Sequence, residues 1–324
     1  MKKGYKIAIC YICLIAICLL VFAFDNDIAN SLFKKNPLED KLYVNFLGAP
    51  NTNSYKKAHK LVKNLRQKGV KTYFNTKDNS KTGNINLYIA DTNLDINVAV
   101  DNEAINILWI PYVDPNEEYD LFRKFDVVIV KSVSSFNHLK AINVRTAYIP
   151  DAFDVKLKNY KYKKDSAYWG DNIKLSLALN LAKDKKIDIF GKKWDHSAYY
   201  SNVVKNDNIK LSDFNDYAIV LVDQDDRDDI VKELVNDSII ELISAGFVPF
   251  IRYNEGVKAI FKNTVPMYYN PEDFHNKYDN LVNNKNKILN IRNNIYNIAE
   301  KWNSSSQADK FIEIFSIMQK KRIN

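Results

Sequence analysis

The sequence predicts an α/β protein built from two doubly wound parallel sheets, and three observations carry that expectation. From Lys41 onward, short apolar runs alternate with segments whose apolar residues recur at helical spacing. The runs end in turn residues that can cap a following helix, which is the pattern of strand–helix–strand units. The alternation is interrupted once, at residues 154–165, a basic stretch without a sustained apolar face. At 324 residues the chain is long enough for two such domains, and 46% hydrophobic with 27% charged residues is the make-up of a folded protein.

Before Lys41 the chain is of another kind. Residues 7–24 carry no charge and follow Lys2, Lys3 and Lys6. A run of about 18 apolar residues is just enough to span a hydrocarbon core. Val21-Phe22-Ala23 also resembles a small-residue cleavage site, so the segment fits either an uncleaved anchor or a removed signal peptide. The bulky Phe22 and Phe24 and the length of the run favour the anchor, with residues 25–40 as a polar stem. The lysine flank favours a cytoplasmic N-terminus and a body on the far side, while Lys34, Lys35 and Lys41 partly balance it. The three cysteines, Cys10, Cys13 and Cys18, all lie in this segment, so the body has neither disulfides nor thiolate metal sites.

In the first domain, residues 41–153, a strand over Leu42–Leu47 leads into a turn, Gly48 to Ser54, which ends in a helix cap. Ala58, Leu61, Val62 and Leu65 then share one helical face, and Gly69 stops that helix. Further strands are expected at Lys71–Phe74, Ile85–Ala90, Ile105–Ile110, Val127–Val130 and Thr146–Ile149. Loops after such strands form the ligand crevice of a doubly wound sheet. Here they carry Gly48 to Asn53, Asp91 to Asn93, Pro111 to Asp114 and Ser132 to Ser135.

In the second domain, residues 166–300, Ala167–Trp169 is a strand entering a turn at Gly170, Asp171 and Asn172, and residues 173–182 form a helix. Ile187–Phe190 is the next strand, ending at Gly191, and Ala218–Asp223 is a buried one. The acidic residues Asp225, Asp226, Asp228 and Asp229 are consecutive enough to be a solvated loop. Asn236, Asp237 and Ser238 can cap a helix carrying Ile239, Ile240, Leu242 and Ile243, and Gly246 is its left-handed stop. Val248–Ile251 and Val265–Tyr269 are strands, residues 271–300 are helical, and a last helix over 306–320 is placed to cross back to the first domain.

Glu233 and Glu241 lie eight residues apart across that helix start, followed by Gly246-Phe247-Val248-Pro249 at a strand entry. This Glu-x7-Glu and Gly-x-x-Pro wording resembles the donor-binding signature of GT-B glycosyltransferases, and is most similar to the spore-maturation-protein-B-like group. Trp109–Asp114 and Tyr148–Asp154 resemble, more weakly, that family's tryptophan-to-aspartate loop and its exit from the first domain. The resemblance implies two Rossmann-like domains with a cleft between them, and a sugar moved from a nucleotide-sugar donor to a glycan, lipid-linked or protein acceptor. It implies that Glu241 holds the ribose, that Glu233 meets the transferred sugar and that Asp114 joins it as a catalytic residue. Donor contacts would come from Gly170, Asp171, Asn172, Lys174, Gly191, Asn236, Asp237, Ser238, Glu241 and Gly246, and acceptor-side contacts from Gly48 and Asn53. The helix start at Asn236–Ser238 and the Gly170 turn would stabilise the leaving diphosphate, so neither metal nor cofactor is expected, and the spacing is associated with retention. Ser238 stands near where a cation would often face the diphosphate, and Lys174, Lys232 or Arg252 are the candidate substitutes.

The net charge of +8, with Lys56, Lys57, Lys60, Lys63, Arg66, Lys68 and Lys71 on or beside the first helix, fits an anionic membrane face. No nucleic-acid recognition motif accompanies it, so no nucleic acid is expected. Nor is there a Walker loop, a Gly-x-Gly-x-x-Gly or a Gly-x-Ser-x-Gly, and His59, His138, His196 and His275 are scattered. Two other readings stand beside the transferase. A non-catalytic relative fits the missing cation, and a two-lobed extracytoplasmic solute-binding protein fits the export-like N-terminus but not the Glu-x7-Glu wording. As an enzyme the body would face the cytoplasm, where a bacterium keeps its nucleotide sugars; if the charge flank decides, it is extracytoplasmic.

Overall fold

The computed structural model describes residues 41–76, 82–91, 96–114, 120–156, 162–171, 176–185, 187–192, 194, 203–205, 208–223 and 233–323. The expected anchor and stem, Asn93, Asn172, Lys174, the acidic loop and Lys232 lie outside them. Among the described residues no helix is long and apolar enough to cross a membrane.

Two six-stranded parallel sheets carry the fold. The first contains β1 (Leu42–Phe46), β2 (Thr72–Thr76), β3 (Ile85–Ile89), β4 (Ile105–Ile110), β5 (Val127–Val130) and β6 (Thr146–Tyr148), in the order β2-β1-β3-β4-β5-β6. The second contains β7 (Lys164–Trp169), β8 (Ile187–Phe190), β9 (Val203–Lys205), β10 (Tyr217–Val222), β11 (Pro249–Arg252) and β12 (Met267–Tyr268), in the order β12-β11-β10-β7-β8-β9. Every residue of β4 and β10 is buried, as continuous apolar runs in a sheet covered on both faces should be. The strand order reverses beside β1 and again beside β7, so each sheet has a switch point at which loops splay apart and leave a crevice.

The helices follow from caps and apolar stripes. Helix α1 (Asn53–Gln67) starts at Thr52, whose hydroxyl accepts from Tyr55 N at 3.1 Å, and buries Ala58, Leu61, Val62 and Leu65. It is followed by α2 (Asp120–Arg123), α3 (Val133–Ala141), α4 (Leu177–Leu181), α5 (Asp237–Ser244) and α6 (Glu255–Phe261). Gly246, at φ 81°, closes α5 in the left-handed region. The expected helix over residues 271–300 is two, α7 (Pro271–Val282) and α8 (Lys285–Ala299), because Asn284 turns out of helical geometry and caps α8 by accepting from Lys287 N. Helix α4 is capped by Ser176, whose hydroxyl accepts from Leu179 N; residues 173–175 of the expected helix lie outside the described residues. Strand β7 begins at Lys164, so the second sheet reaches into the stretch expected to link the domains.

The last helix, α9 (Ser304–Ile323), returns to the first sheet. Ala308, Phe311, Phe315 and Met318 join the core formed by Leu61, Leu65, Ile107 and Trp109, and the Trp109 and Phe311 rings meet edge to face at 5.1 Å. Its start is fixed by Asp154, which accepts from Ser304 N and Oγ, and by Gln307, which donates to the Pro150 carbonyl. A chain that leaves the first domain at Pro150–Asp154 is thus tied back at the same place.

Candidate functional site

The cleft between the sheets is closed by contacts that join sequence-distant residues. Asp237, the first residue of α5, accepts from Asn53 Nδ2 at 2.9 Å and from Lys57 Nζ at 2.7 Å, both on α1 of the other domain. Lys57 also reaches Asp151 at 2.9 Å, and Asp151 in turn holds Lys131 at 2.8 Å. Asn53, expected on the acceptor side, therefore stands against the donor-side helix start. That helix start is already partly satisfied, since Asn236 Oδ1 accepts from Ser238 N.

Charge is balanced by proximity here. Burial alone would push the Asp151 carboxyl up, but Lys131 and Lys57 outweigh it and hold it down at about 2. Lys57 is likewise opposed by burial, and Asp151 and Asp237 raise its pKa despite this. Lys131, packed over the Trp109 ring at 4.8 Å, is the member for which burial wins, and its pKa falls. Glu241 rises, through burial first and Asp237 second, against the pull of Lys57 and Lys56.

Glu233 occupies the second contact across the cleft. Its carboxylate accepts from the backbone N–H of Ser134 at 2.8 Å, in the first turn of α3, where unpaired donors and the helix dipole favour an anion. Its backbone sits at φ 55°, in the left-handed region. Two groups at the start of α6 hold it there: the capping Asn254, whose Nδ2 donates to the Leu234 carbonyl, and Gly256, which lies so close that a Cβ would stand 2.1 Å from the Glu233 carbonyl oxygen. Asp114 follows β4 on a loop pinned by Val113 N donating to Ser135 Oγ, and both Asp114 and Glu233 act on Tyr112, whose hydroxyl burial has already pushed up. Glu233 of the second domain and Asp114 of the first are thus both near enough to Tyr112 to act on its hydroxyl. Among the described residues the buried Tyr148 hydroxyl has no hydrogen-bond partner, and burial, then Asp151 and Glu233, raise its pKa.

Several of the glycines are required by the packing of the strand ends. A Cβ on Gly191 would meet the Gly170 carbonyl at 1.7 Å, and one on Gly170 would meet the Tyr168 hydroxyl at 2.5 Å, so both serve the packing of the β7 and β8 ends. Gly48 is pressed against the Asp91 carboxylate in the same way at the first switch point. Asp171 accepts from Lys192 N at 2.7 Å, bracing those ends from outside. Gly246 lies at the far end of α5 from Asn236–Ser238, and its carbonyl accepts from the buried Arg292, so it terminates a helix and does not join the cluster. Asp223, at the second switch point, accepts from Ser176 Oγ, from Ala178 N at 3.0 Å and from Tyr168 OH at 3.3 Å; burial, outweighing these bonds, raises its pKa.

A cavity of about 450 Å³ opens along the cleft, lined by Leu211, Ile240 and Glu241 of the second domain and by Lys57, Lys60 and Asp151 of the first. Sequence reasoning had found Glu241 but not its neighbours. Lys57 was hidden in a lysine-rich helix, and Lys131 and Asp151 are single residues after strands. Among the described residues, no three or more His, Cys, Asp or Glu side chains gather as a metal site.

No profile of a known protein family and no curated protein matches the chain. Solved structures do match it. An α-glucosyltransferase in complex with UDP aligns at a TM-score of 0.56 and 10% identity, over 87% of this chain and 100% of the other. A DNA-modifying β-glucosyltransferase, solved with and without uridine diphosphoglucose, gives 0.51 and 12%, over 84% and 98%. An α,α-trehalose 6-phosphate synthase from Burkholderia multivorans gives 0.51 and 8%, over 74% and 72%. An α-glucosyltransferase is also known with UDP and a 13-mer DNA, so the lack of a recognition motif does not set this architecture apart from nucleic acid. At such identities the likeness is one of architecture: two parallel α/β domains facing each other across a cleft, as in GT-B glycosyltransferases.

Proposed function

We propose that the chain transfers a sugar from a nucleotide-sugar donor to an acceptor held by the first domain. The observation that carries this reading is the cleft cavity, which sets Glu241 beside the apolar Leu211 and Ile240 and opposite the cations of α1. A carboxylate accepts from the paired hydroxyls of a ribose, and the apolar wall suits a base. Glu233 then stands with Asp114 where the sugar and acceptor would meet, its carboxylate aimed across the cleft. The start of α5 supplies backbone donors for the leaving diphosphate, and the reading assigns no step to a metal. Retention of configuration, which the Glu-x7-Glu resemblance favours, and membership of the spore-maturation-protein-B-like group belong to the same proposal. So does anchoring by residues 7–24, which resistance to carbonate extraction and an intact N-terminus would support. The acceptor class stays open to glycan, lipid-linked, protein or nucleic acid.

The test is ligand identity. Thermal unfolding of the full chain should shift upward with at least one of UDP, ADP and GDP, and not with free glucose or amino acids. The E241A variant should lose that shift, with its own melting temperature unchanged. Stabilisation by free sugars alone would favour a solute-binding protein instead.

A further inference from the structure

The proposed donor carries a diphosphate, and any role for a cation towards it rests on that reading. The resemblance to GT-B glycosyltransferases implies a cation for it within the second domain. Lys174 and Lys232 lie outside the described residues, and Arg252 is exposed at the end of β11, where its charge acts on the half-buried Asp223 carboxyl. The ammonium that stands at the start of α5 comes from the other domain. Lys57 Nζ is 2.7 Å from Asp237 and lines the same cavity as Glu241.

The partners of Lys57 are not equivalent. Asp151, with a side chain 13% exposed, already has Lys131 at 2.8 Å and forms a buried pair with it. Asp237 is 42% exposed, has no second cation at ion-pair distance among the described residues, and is held otherwise by the neutral amide of Asn53. Asp151 therefore fixes where the ammonium sits, while Asp237 answers its charge from the more exposed side. A carboxylate there, between a helix start and a cation, occupies the place of an anion.

We propose that Lys57 is the ligand of the donor diphosphate, and that Asp237 is the carboxylate the phosphate displaces. The exchange keeps the number of ion pairs at Lys57 constant, because a phosphate oxygen replaces a carboxylate oxygen. Lysine suits it, being a point charge on a rotatable stem that can change partners without the fixed fork of arginine. Because Lys57 belongs to the first domain, binding the diphosphate also draws the two domains onto one ligand.

Calorimetry on the full chain, with UDP and uridine and in parallel with the ADP/adenosine and GDP/guanosine pairs, tests the assignment. K57M should weaken the diphosphate that binds wild type by about ten- to a hundredfold, the loss of one charged hydrogen bond, and leave the matching nucleoside unchanged. D237N should do the reverse, tightening the diphosphate severalfold at constant nucleoside affinity. Equal losses of diphosphate and nucleoside in K57M would reduce Lys57 to a structural residue and overturn the proposal. So would a D237N that weakens the diphosphate as K57M does. If wild type binds none of the three diphosphates, the donor reading falls, and the role of Lys57 with it.

Discussion

Glu233 holds a conformation that L-residues avoid, at a cost of about 1–3 kcal/mol, and the surrounding groups over-determine it. Gly256 is one of them, and the contact it permits is with backbone, which has no flexible end to swing aside. G256A is therefore expected to lose about 1–3 kcal/mol in urea unfolding and to disturb the Glu233 carboxylate with it. E233G should behave oppositely: glycine removes the strain while the bond to Ser134 is lost, so stability stays within about 1 kcal/mol and transfer disappears. Of this arrangement the sequence showed one part. Glu233 was visible through its spacing to Glu241, but a dihedral angle leaves no mark in residue order, and neither does a partner 99 positions away such as Ser134. Lys57 was invisible for a different reason, since one lysine among seven basic residues on or beside a helix carries no signal of which one faces a carboxylate.

Among the elements, those with two or more turns of periodicity or a long apolar run were legible. Helix α1 and strands β4, β5 and β8 lie where the pattern put them, because burial on a defined face is what creates the pattern. Helix α6 was missed although Asn254 caps it, since Glu255–Phe261 is too short to establish a period. Strand β9, three residues at a sheet edge, had none to show. Helix α9 carries the strongest consequence at this scale. It follows the second domain in sequence yet completes the core of the first, with Phe311 wholly buried against Trp109. F311A should cost about 3–5 kcal/mol by urea unfolding, and the loss should be felt by the first sheet although the residue lies near the C-terminus.

For the whole molecule, the two switch points explain why the candidate residues converge. Asp151 follows β6, Lys131 follows β5, Asp237 opens the helix before β11, and two facing sheets bring these ends to one cleft. Alternation in the sequence gives the sheets, but the facing of their ends comes from the return of α9 and from the ion pairs themselves. Those pairs make overall stability depend on pH in a definite direction. The Asp151 carboxyl is ordinary near 3.8 when exposed and lies at about 2 in the fold. Its folded value is depressed, so its contribution is fully present above about pH 4 and is lost as pH falls towards 2; the shift is worth about 2 kcal/mol. D151N removes that dependence and also strands Lys131 without its partner, at a cost of about 3–5 kcal/mol at neutral pH. Urea unfolding at steps from pH 6 to pH 2.5 should therefore show wild type losing stability below pH 4. D151N should start lower and fall less steeply over the same window. A variant that falls in parallel with wild type would place the acid sensitivity in other carboxylates and leave Asp151 a bystander of the cleft.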